Sequence, residues 1–225
     1  MIVSWSPFRI TLGGGGTDLP SYYENHGGFI FSFTLSKYMY VCINRPSVDE
    51  LIRLKYSISE TVKSVNDLNH DIAKACLDRV GVSSKIEIAS LSDIPAGSGL
   101  GSSSTYTVGL LNALHSLNGD YKSLDFLANE ACIIEMVILK KPMGKQDQYL
   151  AALGGFVRLD IVKKGNVSSE KILLELQKKF PITIINMSRT FGVGPCVLAG
   201  FKHTKGDCIV SVSYTHLTLP TSDLV

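Results

Sequence analysis

Residues 93–104 read DIPAGSGLGSSS, with glycine at 97, 99 and 101 and serine at 98, 102, 103 and 104. So many glycines would be costly inside a regular helix or strand, so the stretch must separate two elements. Before it stands KIEIAS, whose alternating β-branched residues predict a strand. After it Val108, Leu111, Leu114 and Leu117 recur near helical spacing until Gly119, which predicts a helix with a glycine stop. The stretch is therefore a strand-to-helix turn. A helix N-terminus carries unpaired N–H groups and about half a positive charge, and small residues ahead of it let an anion approach the backbone. The hydroxyls of Ser102, Ser103 and Ser104 add groups that can bind phosphate oxygens or a magnesium ion. A tight turn capped by serine is the alternative, and the stretch alone leaves both open.

The rest of the chain alternates strand-like runs with helical ones. FRITL before Gly13–Gly16, then FIFSFTL, YMYVCIN and LIRLKYS, read as strands by their β-branched and aromatic content and period-2 alternation. Residues 66–80 predict a helix, with Asn66 or Asp67 as N-cap and Gly81 as its end. A further helix is predicted from Ser123 to about Leu139, ended by Pro142 and Gly144, and GGFVRLDIV and PITIIN read as later strands. Strands first and helices later favour an α+β layout over a parallel, doubly wound one.

Composition removes several classes of function. The chain has 225 residues, enough for one sizeable core or two small ones. Its net charge is +2 with both signs interspersed, which gives no electrostatic case for nucleic acid and leaves small molecules as the expected partners. Cys42, Cys76, Cys132, Cys196 and Cys208 are odd in number and form no zinc pattern with the five histidines, so they read as reduced thiols of a cytoplasmic protein. The N-terminus lacks a signal-peptide pattern and no run of 18 apolar residues occurs, so neither secretion nor membrane insertion is expected.

The P-loop pattern is absent, G-x-G-x-x-G fails at Ser102, and the HRD and DFG signatures of protein kinases are missing. Pro95–Ser103 instead resembles the P-x-G-x-G-L-G-S-S motif of the galactokinase, homoserine kinase, mevalonate kinase and phosphomevalonate kinase (GHMP) superfamily. SPFRITLGGGGTDLPSYYENHGG resembles that family's first motif, and IEMVILKKPMGKQDQYLAALGGF the segment that carries its magnesium-binding glutamate and catalytic aspartate. The forms GGGGTDLP and GKQDQY are most similar to the branch that phosphorylates D-glycero-D-manno-heptose 7-phosphate at its anomeric oxygen.

The resemblance implies ATP and Mg2+ as cofactors, a sugar phosphate as substrate and a role for each matching residue. Pro95, Gly97, Gly99, Leu100, Gly101, Ser102, Ser103 and Ser104 would hold the nucleotide phosphates. Gly15, Gly16, Thr17 and Asp18 would bind the sugar, although an aspartate closing its own glycine turn reads the same way. Asp147 would be the catalytic carboxylate; a cap on the next helix is the alternative. Arg9 would lie near the transferred phosphate and Asp147, the alternative being an ion pair with Asp18. Lys145 would act on Asp147 as a nearby positive charge. Glu135 shares a helical face with Ala128 and Cys132, so its charge needs a partner: magnesium together with Ser103, or Arg79. Glu130 lies on another face and reads as solvated. His26, His70 and His115 read as surface or satisfied core residues. A catalytically silent sugar sensor on this scaffold would be expected to lose the acidic pair, and Glu135 and Asp147 are both present.

The resemblance implies a ribosomal protein S5 domain 2-like N-terminal domain over residues 1–165 and the start of a ferredoxin-like domain over 166–205. Residues 206–225 resemble a non-native tail, and a chain cut short in this way is expected to be inactive alone.

Overall fold

The computed structural model describes residues 1–171. Strand β1 (Ile2–Gly13) leads through a glycine-rich loop into helix α1 (Pro20–His26), which returns the chain into β2 (Gly28–Asn44). β2 runs 17 residues without a break, where the sequence pattern suggested two strands. The polar Ser36–Lys37 step is absorbed in the pairing with β1: Pro7 faces Tyr38 and Arg9 faces Thr34, so residues 35–37 of β2 stand opposite Phe8. A bulge bends the strand and re-aims side chains, and this one falls just before Arg9.

β3 (Ile52–Lys55) and β4 (Ser59–Val62) form a short hairpin, followed by a 3-10 turn at Val65–Asp67 and helix α2 (Asp71–Val80). The helix expected from residue 66 thus starts later. Ser64 accepts the Asn66 N–H and holds the chain in the tight turn, and His70 caps α2 by accepting the Ala73 N–H through Nδ1 at 3.2 Å. Gly81, left-handed at φ 75°, ends α2 as expected.

β5 (Ile86–Ser92) runs through the glycine stretch into α3 (Ser102–Leu117). α4 (Leu124–Cys132) is capped by Ser123 as predicted, but it continues as a π-helical segment, Ile133–Ile138, that periodicity did not reveal. α5 (Gln146–Leu153), β6 (Phe156–Ile161) and β7 (Val167–Lys171) complete the described chain. PITIIN, most of the expected second domain and the expected tail lie outside the described residues.

The seven strands form one mixed sheet in which β2 is the spine. β1 pairs along most of its length, β6 with Gly28–Phe33 and β5 with Met39–Asn44, all antiparallel; only β3 and β5 run parallel. α3 packs on β1 and β2 and buries Leu110, Leu111 and Leu114 completely. With Val41, Ile43, Ile52, Leu54, Ile86 and Ile88 these form the main core. A second cluster, around Ile30, Leu150, Val157 and Leu159, fixes α5 to β6. Burial of this kind contributes roughly 1.5–3 kcal/mol per large aliphatic side chain, so α3 and α5 are held firmly at the ends that carry the site.

Glu130, expected on a solvated face, is 4% exposed. Its Oε1 accepts from Arg79 Nε at 3.1 Å and its Oε2 lies 2.8 Å from His115 Nε2, so α2, α3 and α4 meet at one carboxylate. The Arg79 partner that the sequence offered to Glu135 belongs here instead. Glu130→Ala strands both partners and is expected to lower the unfolding free energy by about 3 kcal/mol, read from urea denaturation. Cys42, Cys76 and Cys132 are free, and burial pushes the Cys132 thiol up to about 12. No helix among the described residues is long and apolar enough to cross a membrane.

Candidate active site

The glycine stretch is built as a turn of alternating left-handed residues: Gly97, Gly99 and Gly101 have φ of 79°, 75° and 82°. Only glycine takes such values at low cost. Leu100 between them is 3% exposed and pins the loop to the main core, while Pro95 stays at the surface. The N-cap of α3 is Gly101, with no side-chain cap and no acidic residue in the first turn. The serine-capped turn is therefore not what forms, and the N–H groups of Ser102, Ser103 and Ser104 have no partner from their own helix. The hydroxyls of Ser98, Ser102 and Ser104 are also buried without a hydrogen bond. Unmet polar groups gathered at an uncapped helix start form a place for an anion with several oxygens.

Two groups from distant parts of the chain stand against this loop. Arg9 Nε donates to Asp147 Oδ1 at 2.6 Å, and Arg9 Nη1 donates to the Gly99 carbonyl at 3.3 Å. The two side chains are 11% and 15% exposed, so water screens the pair only in part. A Cβ on Gly101 would lie 3.1 Å from Asp147 Cγ, which shows how closely the loop passes the carboxylate. Asp147 sits in the first turn of α5, but the cap position is Lys145, so Asp147 does not cap that helix. Arg9 pairs with Asp147 and not with Asp18. Lys145 does not act on Asp147 by direct pairing: its ammonium donates to the Gly165 carbonyl and lies 5.5 Å from the centre of the Tyr23 ring.

Asp18 is 1% exposed, and its Oδ2 accepts the Gln146 N–H at 3.0 Å. It closes the start of α5 rather than its own turn. The fit is tight, since a Cβ on Gly144 would fall 1.9 Å from Asp18 Oδ2, and only glycine lets the chain pass. Burial raises the Asp18 carboxyl above its ordinary value and the Asp147 charge adds to the rise, while the Gln146 N–H opposes it. Gln146 fastens the same loop again: Thr11 Oγ1 donates to its Oε1 at 2.6 Å, and its Nε2 donates to the Gly15 carbonyl at 3.0 Å. Gly15 and Gly16 stay exposed beside Thr17, whose Oγ1 donates to the Gly14 carbonyl.

Glu135 is fully buried in the π-helical segment. Each π turn adds a residue and so rotates the residues after it by about 100° relative to an α-helix. Here the carboxylate meets α3 and α5: Ser103 Oγ donates to Oε1 at 2.6 Å and Gln148 Nε2 to Oε2 at 2.7 Å. Both donors are neutral. The Lys141 ammonium stands 3.5 Å from Ser103 Oγ. No group of three acidic, histidine or cysteine side chains among the described residues forms a closed metal cage. A Mg2+ held by one carboxylate, a hydroxyl and ligand phosphates needs none, and the buried Glu135 carboxylate paired with the Ser103 hydroxyl, in the same helix start as the unmet Ser102 and Ser104 hydroxyls, fits such an ion. The sequence singled out Arg9, Asp147, Glu135 and the glycine loop, and the structure brings them together. It missed Gln146, Gln148 and Lys141: the first two belong to the polar triplet QDQ entering a buried helix, and nothing in the sequence singled out Lys141.

A cavity of about 350 Å3 lined by Trp5, Pro7, Tyr38, Leu127 and Lys171 contains none of these groups.

Residues 49–155 match the family model of the GHMP kinases N terminal domain. The chain is 33% identical over 168 residues to a D-glycero-alpha-D-manno-heptose 7-phosphate kinase of Campylobacter jejuni, with 67% of this chain and 48% of that protein covered. It therefore spans about half the length of that curated relative. A crystal structure of a D-glycero-D-manno-heptose 1-phosphate kinase from Bacteroides thetaiotaomicron superposes with a TM-score of 0.72 at 29% identity, covering 77% of this chain and 60% of that one. A Lactococcus lactis galactokinase complexed with galactose shares the fold, with a TM-score of 0.59 at 19% identity over 76% of this chain and 48% of its own.

Proposed function

The chain carries a GHMP kinase N-terminal domain, and on that premise we propose that the protein is an ATP- and Mg2+-dependent sugar kinase. Its substrate is a sugar phosphate that receives a phosphoryl group on its anomeric hydroxyl, D-glycero-D-manno-heptose 7-phosphate becoming the 1,7-bisphosphate. The observation that carries the reading is the Arg9–Asp147 pair set against a glycine loop at the uncapped start of α3. Similarity to the Campylobacter jejuni kinase supports the choice of sugar. The accompanying fold reading is an S5 domain 2-like unit over 1–165 followed by a ferredoxin-like domain, in a cytoplasmic protein.

Phosphoryl transfer asks mainly for alignment and charge stabilisation. Gly97, Gly99, Gly101 and the N–H groups of Ser102–Ser104 cradle the nucleotide phosphates. Ser103 and Glu135 would hold Mg2+, which when bound would neutralise charge on the phosphates. The exposed Gly15–Thr17 edge binds the sugar, with Asp18 and Gln146 fixing it to α5. Asp147 accepts the proton of the anomeric hydroxyl as its oxygen bonds to the γ-phosphorus, the bond from that phosphorus to the β–γ bridging oxygen breaks, and ADP leaves. Arg9 keeps Asp147 aimed and offers its guanidinium to the phosphoryl oxygens. Lys145 supports the start of α5 through its Gly165 and Tyr23 contacts.

The test is ATP turnover by the full-length protein against a panel of sugars and sugar phosphates. Turnover confined to heptose 7-phosphate supports the proposal. Turnover with a different sugar changes the substrate, and sugar binding without ATP consumption makes the protein a sensor. Gly99→Val probes the cradle. Open space surrounds a Cβ there, but φ is 75°, so the loop must shift. ATP affinity is expected to fall about tenfold, with a smaller change in melting temperature; unchanged affinity in a calorimetric titration would argue against the cradle.

A further inference from the structure

We infer that Gln148 is the positioning residue of Glu135: by occupying one carboxylate oxygen it leaves only the other to face a cation, and so favours Mg2+ over a larger divalent ion. The inference rests on the reading of Glu135 as a magnesium-binding side chain. Gln148 lies one residue past Asp147 in the first turn of α5 and is fully buried. Its Nε2 donates to Glu135 Oε2 at 2.7 Å, while Oε1 accepts the Ser103 hydroxyl at 2.6 Å; that hydroxyl proton can rotate away when a cation binds, whereas the amide N–H cannot. The Gln148 Oε1 is buried without a partner. An amide that leaves its own carbonyl unmet is costly in a core, so stability does not account for glutamine at this position. What the amide does achieve is to fix the rotation of a buried carboxylate from α5, the helix that also aims Asp147.

The chemical consequence concerns the choice of metal. Ca2+ takes six to eight oxygens in loose geometry and readily uses both oxygens of one carboxylate, whereas Mg2+ requires a near-ideal octahedron completed by waters and phosphates. A Glu135 whose Oε2 already accepts an N–H offers a single oxygen. Three successive residues thereby serve three parts of the site. Gln146 holds the Gly15 loop, Asp147 pairs with Arg9 and Gln148 sets Glu135.

The test monitors Mn2+ binding by electron paramagnetic resonance, with a non-hydrolysable ATP analogue present and with Mg2+ and Ca2+ as competitors. Gln148→Met removes the donor at similar volume and is expected to weaken Mn2+ binding about tenfold, as loss of a ligand-orienting partner does, and to narrow the preference for Mg2+ over Ca2+. In a Glu135→Gln background the same change is expected to have no further effect on Mn2+ affinity, because Gln148 acts through that carboxylate. Thermal melting checks folding. If Gln148→Met does not fold, Gln148→Asn keeps the amide but shortens its reach and carries the same comparison. A folded variant with parental Mn2+ affinity and metal preference overturns the inference, as does an equal loss in the Glu135→Gln background. Should Glu135→Gln itself leave Mn2+ affinity unchanged, the magnesium reading fails and this inference fails with it.

Discussion

Asp147→Asn is expected to lower kcat at least ~10²-fold, the usual cost of losing a general base, while sugar affinity stays near the parent value. Asparagine keeps the side-chain volume and an oxygen toward Arg9 Nε, but it cannot take a proton at neutral pH and it removes the negative charge. A side chain that merely capped α5 would behave otherwise, because asparagine caps as well as aspartate. The cap position is in any case Lys145. Rapid-quench measurement of ADP formation, paired with calorimetric sugar binding, separates the two effects. A variant that turns over at the parental rate would remove Asp147 from the chemistry. A variant that loses sugar binding and melting temperature together would make it structural.

Arg9→Leu is expected to cost about 10³-fold in kcat, the lower end for losing an arginine that stabilises a transferring phosphoryl group. Arg9 spans two targets at once, Asp147 through Nε and the Gly99 carbonyl through Nη1. A lysine ammonium is a single point charge and cannot reproduce that fork, so Arg9→Lys is expected to recover only a small part of the loss. The bulge before Arg9 adds a second reason, since the strand aims the guanidinium through its own bend. Steady-state kinetics at saturating ATP and Mg2+, with a melting curve as the control for folding, checks both variants. Full activity in Arg9→Lys would show that charge alone suffices and that the two-point geometry is dispensable.

How much of this was legible in the sequence depended on whether a signal was local. The strand, glycine turn and helix of residues 86–117 could be read directly because backbone freedom at Gly97–Gly101 and periodicity in α3 are properties of neighbouring residues. The 17-residue β2 was misread as two strands because its break in pattern is accommodated by β1, more than 20 residues away. The start of α2 was placed too early because Leu68 is buried without being helical, held in the preceding turn by Ser64. Glu130 shows the same limit: an ideal helix puts it on a solvated face, but Arg79 and His115 reach it from two other helices. The burial of Glu135 and its Ser103 partner were legible, and only the π-helical segment that carries it was not. The Arg9–Asp147 and Ser103–Glu135 contacts fit the resemblance of the motifs, whereas the hydrogen bonds of Gln146 and Gln148 needed coordinates, because glutamine gives no spacing signal of its own.

The central claim, that Arg9, Asp147, Glu135 and the glycine loop together phosphorylate the anomeric oxygen of a sugar phosphate, is tested most directly by 31P NMR. The full-length protein is incubated with ATP, Mg2+ and D-glycero-D-manno-heptose 7-phosphate. The account predicts a new phosphomonoester resonance coupled to the anomeric proton, growing in step with ADP and absent with Asp147→Asn. Loss of the ATP γ-phosphate to inorganic phosphate alone, or an unchanged spectrum from a protein that binds the sugar phosphate, would contradict it.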